Sequence, residues 1–238
     1  MAGSLRKMYK YRALQPFEYA ADIIVNKRFH AAYYHELNDP AEGDYVYDPR
    51  PTLFPGKRTK EDQRKAISNG LKRWRICSFS MDWRNPTLWA YYADGFKGIC
   101  VEVEVERQYV APFIWRRSRS RIVYEVQYSR GKTRISNAAD SLHILPVGVR
   151  TLVRKGKEWE PEKEVRIVTT CRYIPAEDDL RITRVFLGPR TPSVLRTIIR
   201  QITPADVSVW ETHINGTENV IEVGSEIPLT SPPRSSAT

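Results

Sequence analysis

The 238 residues carry 38 Lys and Arg against 28 Asp and Glu, a formal net charge of +10, with 41% hydrophobic and 28% charged residues. Those are globular proportions and exclude a chain that is disordered throughout. No run approaches the roughly 18 apolar residues of a membrane helix, and the start MAGSLRKMYKYR lacks an apolar signal core, so a soluble cytoplasmic protein with no membrane partner is expected.

The first predicted element is a strand at KMYKYRAL, with Tyr9 and Tyr11 on one face and Lys10 and Arg12 on the other. Pro16 then opens a helix whose Phe17, Ala20, Ala21 and Ile24 fall at helical spacing. From Arg28 short strand-like residues run into a long loop rich in Pro, Asp, Asn and Gly that reaches residue 56. Thr59 and Asp62 form a capping box for a basic helix reaching Lys72, with Ala66, Ile67 and Leu71 inward. RICSFSMDW reads as a strand, after which Asn85 caps and Pro86 starts a short helix that Gly95 ends. GICVEVEVE and RIVYEVQYS are strands, and residues 137–157 are expected to hold one or two helices broken near Pro146 and Gly148. KEVRIVTTCRY, LRITRVFLG and DVSVWET are further strands, with a helix at TPSVLRTIIRQI between the last two. This order specifies an α+β protein, expected as one domain over residues 1–228 with a disordered tail at 229–238.

Cys77, Cys100 and Cys171 lack zinc or disulfide spacing, and the four histidines lack metal-ligand spacing, so no metal is expected. The positive charge comes in bursts, from Lys57 to Arg75, in WRRSRSR at 115–121 and from Arg150 to Lys157. Such bursts suit an anionic partner, either nucleic acid or a phosphate-bearing small molecule, or they are simply solvated faces.

Against that background WEPEKEVRIV gathers acid. Read as a strand, it puts Glu162, Glu164 and Arg166 on one face, with the two carboxylates about 6 to 7 Å apart. Two carboxylates so placed can bracket a substrate, or Glu164 and Arg166 can be a plain ion pair on a solvated face.

The ordered set YKYR, NDPAEG, CSFS, LWAYYADGFKGICVEVE, WEPEKEVRIV and RVFLG resembles a bacterial family of unknown-function domains that looks like the ADP-ribosyltransferase fold. The resemblance implies a split two-sheet core with interspersed helices and NAD⁺ as consumed co-substrate. It implies a catalytic Glu164 that stabilises positive charge on the ribose, and Glu162 as the group that orients or deprotonates the nucleophile. Arg12 or Tyr11 on the first strand, and Ser78 or Ser80 on the second, occupy the cofactor-binding stretches, with Trp89 and Tyr92 as ring contacts. Missing are the tight Ser-Thr-Ser triplet and the His-Tyr-Glu arrangement of better-known transferases. The expected function is ADP-ribosyl transfer to a macromolecule, with nucleic acid a candidate acceptor, in a toxin or phage-defence role that would bring an antitoxin or immunity protein as partner. Two other classes compete: a non-catalytic nucleic-acid-binding protein, and a metal-dependent nuclease built on Glu102/Glu104 or Glu162/Glu164.

Overall fold

The structure, a computed structural model, describes residues 4–48, 59–107, 114–117, 121–135, 147–177 and 179–228, with the side chains of residues 4, 60, 63, 107, 115–117 and 147 outside that description. The expected disordered tail at 229–238, residues 137–146 of the stretch expected to hold one or two helices, and residues 118–120 of the WRRSRSR burst lie outside the described residues.

In chain order the elements are β1 (Ser4–Arg12), α1 (Phe17–Ile24), β2 (Arg28–His30), β3 (Tyr45–Tyr47), α2 (Lys60–Arg73), β4 (Arg75–Ser80), α3 (Pro86–Tyr92) and β5 (Ile99–Arg107). They continue with β6 (Ile114–Arg117), β7 (Arg121–Glu125), β8 (Gln127–Ser129), β9 (Thr133–Ile135), α4 (Val147–Leu152), β10 (Arg154–Gly156), β11 (Glu164–Thr169) and β12 (Tyr173–Pro175). Last come β13 (Leu180–Leu187), α5 (Ser193–Ile202), β14 (Ser208–Asn215) and β15 (Val220–Glu226). The protein is therefore α+β, with mixed sheet and few helices.

The chain divides into two compact units. The first comprises Met1–Ser4, His30–Ser78 and Arg107–Ile174, the second Leu5–Phe29, Phe79–Glu106 and Pro175–Thr238. In the first, the strands run in the order β4-β11-β7-β6, with β7 antiparallel to both neighbours, and two parallel pairs, β8 with β10 and β3 with β9, stand beside them. Its core gathers Ile67 and Leu71 of α2, Ile76, Ile122 and Tyr124, and Val149 and Leu152 of α4. Helices α2 and α4 meet backbone to backbone, since a Cβ on Gly148 would lie 2.6 Å from the Gly70 carbonyl carbon. The predicted capping box is formed, as the Thr59 hydroxyl accepts from the Asp62 N–H at 3.1 Å and the Asp62 carboxylate from the Thr59 N–H at 3.0 Å.

In the second unit the order is β15-β14-β13-β5-β1, and the end of β4 lies against β1 with Tyr9 opposite Ser80. β13 is parallel to β14 and antiparallel to β5. The predicted Asn85 cap holds the start of α3, with Oδ1 accepting from the Thr87 N–H at 2.9 Å. Helix α3 lays Leu88 and Trp89 on Tyr11, Cys100 and Phe186.

A buried ion network as candidate functional site

Glu162 does not sit on a strand. Pro161 lies within a 3-10 helix over Lys157–Glu162, and Lys163 after it takes a left-handed conformation at φ 46°, so the strand begins only at Glu164. The expected shared strand face for Glu162, Glu164 and Arg166 is corrected accordingly. β11 is also buried on both faces, which excludes a solvated one.

The two carboxylates meet all the same, through a lysine. Lys155 Nζ donates to Glu162 Oε2 at 2.6 Å and to Glu164 Oε2 at 3.3 Å. Lys155 belongs to the basic burst at 150–157, yet its side chain is 7% exposed, and its ammonium lies 4.6 Å from the centre of the Trp159 ring. Trp159 and Glu162 are three residues apart in a 3-10 helix, where such side chains eclipse, so both flank that ammonium.

Arg166 completes the network. Nε donates to Glu164 Oε1 at 2.8 Å and Nη2 to Glu164 Oε2 at 3.0 Å. The same guanidinium grips Glu42 from the NDPAEG stretch, Nη1 to Oε1 at 2.5 Å and Nη2 to Oε2 at 2.7 Å, and gives its remaining N–H to the Leu152 carbonyl at 2.6 Å. All five N–H groups of the fork thus have acceptors. A buried charge is tolerated only when paired and hydrogen-bonded in this way. The Tyr128 hydroxyl accepts from the Glu164 N–H at 2.7 Å.

Burial pushes the Glu164 carboxyl upward, but Arg166 and Lys155 beside it, with hydrogen bonds from Arg166 and Ser78, outweigh that and bring it down to about 2. Glu42 moves the other way, because burial outweighs the attraction of Arg166 and raises it above its ordinary value. The Glu164 side chain is 4% exposed and that of Glu162 11%, so Glu162 is the more accessible carboxylate.

Ser78, Glu162 and Glu164 are thereby brought together in the first unit. The other expected site residues belong to the second. There the Tyr11 and Trp89 rings meet edge to face at 5.4 Å, the Tyr11 hydroxyl donates to the Asp82 carbonyl at 2.7 Å, and Tyr92 packs beside them. The Ser80 hydroxyl accepts from the Asp82 N–H at 2.9 Å, and the Arg12 guanidinium lies 4.4 Å from the centre of the Tyr19 ring. Trp89 is fully buried and gives its indole N–H to the Trp83 carbonyl, so it is a packing residue of its own unit. Glu42 and Lys155 were missed from sequence. Glu42 pairs with a residue 124 positions away, and Lys155 looks like one more member of a basic run.

No known protein family, curated protein or solved structure matches the chain. Among the described residues no group of His, Cys, Asp and Glu is arranged to hold a metal ion, and no helix is long and apolar enough to cross a membrane.

Proposed function

We propose that the protein consumes NAD⁺ and transfers ADP-ribose to a macromolecule, with Glu162 as the carboxylate that meets the substrate. The observation carrying this reading is the shared lysine: two carboxylates on one buried ammonium, Glu162 the more exposed of the two at 11% and Glu164 locked by Arg166. In such transfer the nicotinamide–ribose C–N bond breaks, its electron pair leaves with nicotinamide, and the ribose carries positive charge until a nucleophile bonds to it and gives up a proton. An ionised carboxylate near the ribose lowers the energy of that cation. Glu164 already has both oxygens engaged, so the geometry favours it as the residue that orients Lys155, and through it Glu162. Split-sheet binding of NAD⁺, a nucleic-acid acceptor, a toxin or defence role and an immunity partner are further parts of this reading.

The nuclease alternative draws less support, because both its carboxylate pairs are engaged by cations that a metal would have to displace, Glu102 and Glu104 by Lys7, Arg184 and Arg181, and Glu162 and Glu164 by Lys155 and Arg166. The test is incubation with labelled NAD⁺ and separate RNA, DNA and protein fractions, comparing the wild type with Glu162→Gln. Label transfer that Glu162→Gln reduces at least a hundredfold, about 3 kcal/mol of transition-state stabilisation, supports the reading. Absence of NAD⁺ cleavage by the wild type, or full activity in the variant, would overturn it.

A further inference from the structure

Among the described residues of the second unit, α3 packs on the end of the sheet face that carries Tyr11, Cys100 and Phe186. Further along the same face the cross-strand pairs are Arg184 with Glu102 and Arg181 with Glu104. A bulge between Ile182 and Arg184 inserts Thr183, whose hydroxyl donates to Glu102 at 2.8 Å. Lys7 reaches the same carboxylate at 3.1 Å and Arg184 at 3.7 Å.

The charges here are layered. Side-chain exposure is 3% for Glu102 and 16% for Glu104, but 43%, 44% and 69% for Lys7, Arg184 and Arg181. Carboxylates lie beneath and cations on top, so the exposed charges of this cluster are cationic, while the exposed Glu226 stands opposite Trp210 across β14 and β15. The ion pairs also hold the cations in place before any ligand arrives. Beside them the half-buried Trp210 is fixed by its indole N–H donating to Ser208 Oγ at 2.9 Å, with the Arg184 guanidinium 5.9 Å from the ring centre.

We propose that this open sheet face binds single-stranded nucleic acid, with Lys7, Arg184 and Arg181 taking phosphates and Trp210 stacking on a base. Preorganised cations beside a fixed aromatic ring are what a single strand requires, and a chain of net charge +10 favours a polyanion over a neutral partner. This surface lies apart in sequence from the basic bursts, and the inference stands whether or not NAD⁺ is cleaved.

The test is fluorescence anisotropy of a labelled oligouridine titrated with the full chain over a range of salt. Affinity should fall with salt, and Lys7→Gln and Arg184→Gln should each reduce the log–log slope by about 0.7, the value for one phosphate contact on a single strand. Trp210→Leu should weaken binding roughly fivefold to a hundredfold while Trp210→Phe keeps most of it. Lys97→Gln removes the same charge just before β5 and should leave the slope unchanged. The proposal is overturned if Lys97→Gln acts like Lys7→Gln, or if Trp210→Leu binds as the wild type does. It is equally overturned if a duplex, a free mononucleotide or polyglutamate of equal charge binds as tightly as the oligouridine.

Discussion

Arg166 shows how much of the first unit depends on one side chain. Its planar fork joins the 38–43 stretch through Glu42, β11 through Glu164 and the end of α4 through Leu152. A lysine at that position keeps the charge but has three donors on a point ammonium, which cannot make two bidentate pairs. Arg166→Lys should therefore cost about 3 to 5 kcal/mol in urea unfolding, the range for breaking a buried ion pair. A loss below about 1 kcal/mol would show that the network relaxes around the change. The plain Glu164–Arg166 pair was readable from their i, i+2 spacing. The second carboxylate on Arg166 was not, because sequence carries no sign of which distant loop a buried guanidinium will meet.

At the level of elements, legibility followed the reach of the physics. The Thr59–Asp62 box and the Asn85–Pro86 start were readable because capping is settled within three residues. The 3-10 helix that removes Glu162 from β11 was missed although Pro161 stands inside it, because the charged alternation that follows imitates a strand. β6 and β15 were also missed. Among the described residues each is partnered on one side, β6 by β7 and β15 by β14, and they lack the apolar content of central strands. The crossing of α2 and α4 supplies a test at this scale. Gly148→Ala would put a methyl group 2.6 to 2.9 Å from the Gly70 and Leu71 backbone, which can yield only if the helices separate. Thermal unfolding should show a loss of about 1 to 3 kcal/mol or more, the cost of overpacking, despite the better helix propensity of Ala. An unchanged or raised Tm would mean that the two helices are not held so close.

Across the whole molecule the chain passes between the two units repeatedly, leaving the second after Phe29, returning at Phe79, leaving after Glu106 and returning at Pro175. Neither unit can be released by one cut, so tests of the buried network belong on the intact chain, with pH as the probe. Glu164 is held at about 2 when folded and returns towards its ordinary value near 4.5 when unfolded. A depressed folded value gives stability that is complete above the unfolded value and lost as pH falls from about 4.5 through 2. At about 1.4 kcal/mol per unit this contribution is about 3 kcal/mol. The stability gap between wild type and Glu164→Gln should shrink by that order between pH 6 and pH 2. Glu42 has the opposite sign, since a raised folded value gives stability that is complete below the unfolded value and lost as pH rises through the folded one. The gap between wild type and Glu42→Gln should accordingly widen as pH falls over the same range. Urea unfolding of the three proteins at several pH values checks both signs. Parallel curves for the two variants would mean that the carboxylates titrate as one coupled group on Arg166, instead of being driven apart by their surroundings.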